Sequence, residues 1–190
     1  SHPWNSSVGD VDGDGRPDLL VANYSSNTVS VLRNTGLLSS GAFYSGSFNT
    51  KVDYTTGTGP YFVSVGDLDA DGKNDLAVAN YGSNTVSVFK NTGSVANVSF
   101  NAKVDYTAGS GPVSVSLGDI DGDGKPDLTT ANYGASTISI LRSTSSSGSI
   151  SFATKTDLTA ASRPYCVAIA DLNGDGKLDL TVPNYSASSV

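Results

Sequence analysis

Short apolar runs separated by clusters of Gly, Asn, Asp, Ser and Thr fill the chain from one end to the other. Between 58 and 109, Tyr61-Phe62-Val63-Ser64-Val65 predicts a first strand and Asp75-Leu76-Ala77-Val78-Ala79-Asn80 a second. Thr85-Val86-Ser87-Val88-Phe89 alternates apolar with polar side chains, the period of a half-buried third strand. A glycine-bearing turn at Asn91-Thr92-Gly93 then leads to a fourth, Val98 to Tyr106. Its Lys103 and Asp105 suit an outer edge, where charge discourages stray pairing. No segment sustains the 3.6-residue period of an amphipathic helix. The expected fold class is all-β, with four short antiparallel strands per unit of about 50 residues, the unit of a β-propeller blade.

The pattern repeats. Aligning Asp10, Asp67, Asp119 and Asp171 gives offsets of 57, 52 and 52 residues. A proline stands seven residues before each (Pro3, Pro60, Pro112, Pro164), and an Asn-Tyr pair follows each (Asn23-Tyr24, Asn80-Tyr81, Asn132-Tyr133, Asn184-Tyr185). Phe48, Phe100 and Phe152, and Lys51, Lys103 and Lys155, also recur at 52. The predicted repeats are 1–57, 58–109, 110–161 and an incomplete 162–190, that is, three blades and the inner half of a fourth. They form a single domain or part of a larger propeller. The first repeat is five residues longer, in Leu37-Leu38-Ser39-Ser40-Gly41-Ala42-Phe43-Tyr44. Those apolar side chains either fold back over their own blade or make a contact patch for a partner.

Between the first two strands of each repeat lies the chemistry. Asp119-Ile120-Asp121-Gly122-Asp123-Gly124-Lys125-Pro126-Asp127 places carboxylates at positions 1, 3, 5 and 9 of nine. Ca²⁺ wants six to eight oxygens, and a chain turning tightly at Gly124 can aim alternate Asp side chains, the Lys125 carbonyl and Asp127 at one point. The same set recurs as Asp10, Asp12, Asp14 and Asp18, as Asp67, Asp69, Asp71 and Asp75, and as Asp171, Asn173, Asp175 and Asp179. Position 6 is glycine throughout: Gly15, Gly72, Gly124, Gly176. About four calcium ions, one per repeat, are expected.

Charge takes its meaning from these loops. All 18 acidic residues are Asp; 15 lie in the loops, and Asp53, Asp105 and Asp157 stand 52 residues apart. The formal charge of −7 would repel nucleic acid and anionic membranes, yet four Ca²⁺ would bring it to about +1. One cysteine, Cys166, excludes an internal disulfide and is expected to be a small buried thiol. No apolar run approaches membrane-spanning length, and the chain, which lacks Met, opens without a signal peptide, as expected of a mature or excised segment.

A strand, then Gly-Asp-x-Asp-Gly-Asp-Gly-x-x-Asp-Leu, then a second strand ending Ala-Asn-Tyr, resembles the FG-GAP repeat, or VCBS-type repeat, of integrin alpha-subunit propellers and many bacterial surface proteins. The resemblance covers nearly the whole chain. It implies blades that close into a ring, usually of seven, and a calcium loop joining the first and second strands. Position by position it implies as ligands Asp10, Asp12, Asp14, the Arg16 carbonyl and Asp18, with the equivalent residues of the other copies, where Lys73, Lys125 and Lys177 supply the carbonyl. Asn173 departs from the pattern, so the fourth site is expected to be weakest.

Calcium is expected to staple each blade rather than to touch a ligand, and millimolar extracellular calcium would fill even a loose cage, which places the protein outside the cell. Catalysis is not expected, because His2 is the single histidine and most carboxylates are committed to metal. The expected role is a noncatalytic propeller segment in adhesion or self-assembly. Partners would be another protein or further copies, through the open half blade and the Leu37–Tyr44 loop, and head-to-tail completion could grow a filament. Neither nucleic acid nor membrane insertion is expected. The alternative is a lectin-like module, or an accessory domain of a secreted enzyme, that binds glycan through the Asn-Tyr rings. Those rings are expected to be wedged between blades more readily than offered to a sugar.

Overall fold

The computed structural model describes residues 2–36 and 47–186. Three antiparallel sheets of four strands follow one another. The first is β1 (Pro3–Gly9), β2 (Asp18–Asn23), β3 (Thr28–Leu32) and β4 (Val52–Thr55), paired in that order. The second is β5 (Pro60–Gly66), β6 (Asp75–Asn80), β7 (Thr85–Phe89) and β8 (Val104–Thr107). The third is β9 (Pro112–Gly118), β10 (Asp127–Asn132), β11 (Thr137–Leu141) and β12 (Thr156–Thr159). Among the described residues a fourth sheet holds two strands, β13 (Ala168–Ala170) and β14 (Asp179–Thr181). The Leu37–Tyr44 loop lies outside the described residues.

The fourth strand is shorter than predicted. Residues 98–103 meet the preceding strand's extension at one bridge, Phe100 with Asn91. The regular ladder ends because the pairing slips by one residue between Val88–Val104 and Asn91–Phe100. Asp105 does lie on the outermost strand, and Lys103, just ahead of that strand, pairs with it.

The sheets pack face to face, and the core is built between neighbours rather than inside any one of them. Leu20, Val29 and Val31 of the first sheet meet Val63, Leu76 and Val78 of the second. On the other face of β6, Ala77 and Ala79, with Val86 and Val88 of β7, meet Val115, Leu128 and Leu141 of the third. All six residues of β6 and of β10 are consequently buried. Each such large side chain contributes roughly 1.5–3 kcal/mol.

The alternation in the third strand misleads, because Ser87 is fully buried and the strand is not half-exposed. Its hydroxyl belongs to a relay across the sheet: Asn80 Nδ2 donates to Ser87 Oγ at 2.8 Å, and Ser87 Oγ donates to Asp105 Oδ1 at 2.6 Å. Asn23–Ser30–Asp53 and Asn132–Ser139–Asp157 repeat it. These relays account for the three Asp residues outside the loops, since a buried hydroxyl needs a partner. The same Ser87 hydroxyl accepts from Gly57 N at 3.1 Å, joining two sheets.

The first strands of successive sheets stand side by side, stitched by serines. Ser7 Oγ donates to Val63 O at 2.5 Å, Ser64 Oγ to Val115 O at 2.6 Å and Ser116 Oγ to Val167 O at 2.6 Å. Register fixes what lies at each end. Gly9 pairs with Asp18 next to the acidic loop, and Pro3 pairs with Asn23 at the opposite end. Acidic loops and Asn-Tyr corners therefore occupy opposite ends of the sheets.

Candidate metal centre

Each acidic loop must reverse the chain between two paired strands, and its own carboxylates organise the turn. Asp10 Oδ1 accepts from Gly13 N at 2.7 Å and Asp14 N at 3.2 Å, while Oδ2 accepts from Gly15 N at 2.8 Å. Asp12 Oδ1 accepts from Asp14 N, and Asp14 Oδ1 from Arg16 N. The Gly15 amide reaches Asp10 with φ at +84°, a conformation that a Cβ disfavours. Gly72 to Asp67, Gly124 to Asp119 and Gly176 to Asp171 reproduce that bond at 2.8–2.9 Å.

Position 9 is the buried anchor. Asp18 accepts from Val11 N at 2.9 Å and Asn34 N at 2.7 Å; Asp75 accepts from Leu68 N and Asn91 N, and Asp127 from Ile120 N and Ser143 N. Burial pushes Asp75 up to about 6, against the downward pull of its two amide donors. Asp18 and Asp127 are raised from the usual carboxylate range for the same reason. Desolvated carboxylates resist ionising unless a cation compensates them.

Three loops bring three carboxylates together: Asp10, Asp12 and Asp18; Asp67, Asp69 and Asp71; Asp119, Asp121 and Asp127, each set with oxygens within 4.8 Å of one another. Asp14, Asp75 and Asp123 belong to the same loops but not to these triplets. Arg16, Lys73, Lys125 and Lys177 each donate their amide to the position-5 carboxylate. In the fourth loop Asp171, Asp175 and Asp179 form no such triplet, and Asn173 Nδ2 instead points its N–H at Asp175 Oδ2, 3.3 Å away. That loop is also exposed: Leu172 is 66% exposed where Val11 and Leu68 are buried.

The donor set fits a hard divalent cation. Every side-chain donor is oxygen, and Asp69 Oδ1 is buried with no hydrogen-bond partner, as expected of an atom kept for an ion.

Sequence reasoning missed one participant. Arg33 bonds Asp12 and, at 3.0 Å, Asp14; Lys90 bonds Asp69 at 2.5 Å and Asp71 at 2.6 Å; Arg142 bonds Asp121 and, at 3.1 Å, Asp123. Each cation stands 23 residues after the first Asp of its loop (33 − 10, 90 − 67, 142 − 119), so the repeat alignment already held the signal.

Other readings change with burial. Cys166 is half-buried rather than buried. Asn5, Asn23, Asn97 and Asn184 each begin an Asn-x-Ser sequon; Asn23 and Asn184 are closed to modification by burial, whereas Asn97 is exposed on a tight turn. Among the described residues no helix is long and apolar enough to cross a membrane.

A family model described as an FG-GAP-like repeat matches three times, over residues 10–78, 67–130 and 124–182. Among solved structures, the chain is similar to BBS1N, crystallised in complex with ARL6DN and soaked with lead. The TM-score is 0.59 at 12% identity, over 98% of this chain and 52% of that one, so the chain spans about half of that relative's length. At such identity the likeness concerns the fold alone. No curated protein matches.

Proposed function

From the premise that this chain belongs to the FG-GAP-like repeat family, we propose that it is a calcium-stabilised, noncatalytic propeller segment of a secreted or surface protein, acting in adhesion or assembly. The observation that carries this reading is the threefold convergence of carboxylates within 4.8 Å, repeated at one end of successive sheets. Asp10, Asp12 and Asp18, with Asp14 and the Arg16 carbonyl beside them, would hold the first ion, and the equivalent residues the next. The ion supplies compensating charge to carboxylates crowded into one turn. Buried anchors such as Asp75 connect that charge to the core, because their second oxygens bind amides of the following strand's extension.

Most carboxylate oxygens of these loops are engaged by backbone amides, Arg or Lys, an arrangement that suits holding an ion over moving a proton. Rigid sheets joined by serine stitches instead make a scaffold that presents surfaces at its two ends. Millimolar calcium, the extracellular condition, would fill cages of even modest affinity.

Beads coated with the chain test the adhesive role. Clustering at millimolar calcium that reverses on chelation is expected; beads that stay dispersed in both conditions would count against it.

A further inference from the structure

The end of the sheets away from the acidic loops carries a hollow of about 520 Å³, within the range of small-ligand sites. First strands contribute Trp4 and Tyr61, and Tyr165 stands at the matching place in the fourth repeat. The Asn-Tyr corners add Tyr24, Tyr81, Tyr133 and Tyr185.

The rings surround the space rather than stack to fill it. Trp4 lies 4.8 Å from Tyr61 at 48°, Tyr61 lies 6.4 Å from Tyr165 at 83°, and Tyr133 lies 6.5 Å from Tyr185 at 49°. Their polar tips meet as well, with Tyr61 Oη 3.2 Å from Tyr165 Oη. Trp4 is 53% exposed, Tyr165 45% and Tyr185 70%, which is far more aromatic surface than core packing requires.

Wedging is thus half of the outcome for the corner tyrosines. A Cβ at Gly59 would lie 3.1 Å from the Tyr24 ring and one at Gly111 would lie 3.0 Å from Tyr81, so each ring leans on the next repeat while lining the hollow. The third such position is Arg163, 52 residues after Gly111, at φ +59° where the glycines have +62°. An arginine is strained in this left-handed conformation, and strain of this kind concentrates at functional sites. Its guanidinium stands 5.5 Å from the centre of the Tyr133 ring, one of the rings that line the hollow.

We propose that this aromatic cup is a saccharide-binding site, with Arg163, held against the Tyr133 ring, as an added polar anchor. A pyranose offers C–H edges of partial positive charge to the electron-rich ring faces, and its hydroxyls find tyrosine hydroxyls. Arg163 brings a forked donor for a sugar hydroxyl or a uronic carboxylate. An organic cation, the other class that aromatic cups take, finds no carboxylate in the lining and would have to share the Tyr133 ring with Arg163. The inference rests on the binding role proposed above and gives it a ligand class.

Trp4 is the single tryptophan, so its emission reports on the cup directly. The calcium-loaded chain is titrated with chito-, manno-, galacto- and galacturono-oligosaccharides, and with tetramethylammonium as the competing cation. At least one saccharide should shift the emission saturably, and Tyr185→Ala and Tyr165→Ala should each weaken it tenfold or more at unchanged melting temperature. Saturation by none of the saccharides, saturation by tetramethylammonium alone, or variants that bind like the parent would overturn the proposal. Melting the same samples with and without calcium separates the two ideas: a calcium shift without saccharide binding sinks the cup and leaves the calcium-stabilised scaffold standing.

Discussion

Lys90 Nζ lies 2.6 Å from Asp71 Oδ2 and also bonds Asp69, so a side chain from the third strand's extension reaches into the acidic loop that precedes the second strand. Arg33 and Arg142 do the same in the neighbouring repeats. The cation neutralises carboxylates that would otherwise repel, and it competes with a metal for them.

Lys90→Met separates those two effects. With chelator present, the variant should melt below the parent, because Asp69 and Asp71 lose their partner. With calcium it should bind one ion about tenfold more tightly, about 1.4 kcal/mol, which calorimetric titration resolves.

The fourth loop has the weakest donor set, since Asn173 brings a neutral oxygen and its amide occupies Asp175. Titration of the parent should show its weakest calcium site there, and Asn173→Asp should tighten that site about tenfold, leaving the others unchanged.

The buried relay predicts a cost that does not depend on metal. Ser87→Ala leaves Gly57 N without its acceptor and removes one bond from Asn80 and one from Asp105. Denaturant unfolding should register a loss of about 1–3 kcal/mol, equal with and without calcium.

Gly111→Ala probes the corner. At φ +62°, with a Cβ 3.0 Å from Tyr81, the variant should lose on the order of 1–2 kcal/mol by the same denaturant measurement.

Much of this was legible in the sequence where a residue's neighbours are local. Strands β6 and β7 fall at the predicted bounds because β-branched and apolar residues run between turn signals, and the acidic loops fold by contacts within nine residues. What stayed hidden depends on partners 18 or more residues away. The burial of Ser87 needs Asp105 across the sheet, and the shortened fourth strand comes from a one-residue slip in its pairing with the third. The cup needs first strands and corners of different repeats, which periodicity aligns in sequence but does not bring together in space. Arg163 showed in the sequence merely as a break in a glycine series; its meaning came from the ring beneath it.

The most direct measurement is the melting temperature of the chelator-stripped chain as calcium is returned to millimolar concentration. At a hundredfold excess over Kd, each site contributes about 2.7 kcal/mol, so several filled sites should raise the midpoint by on the order of 10 °C or more. A midpoint that does not move, with no heat of calcium binding, would contradict the role given to these loops.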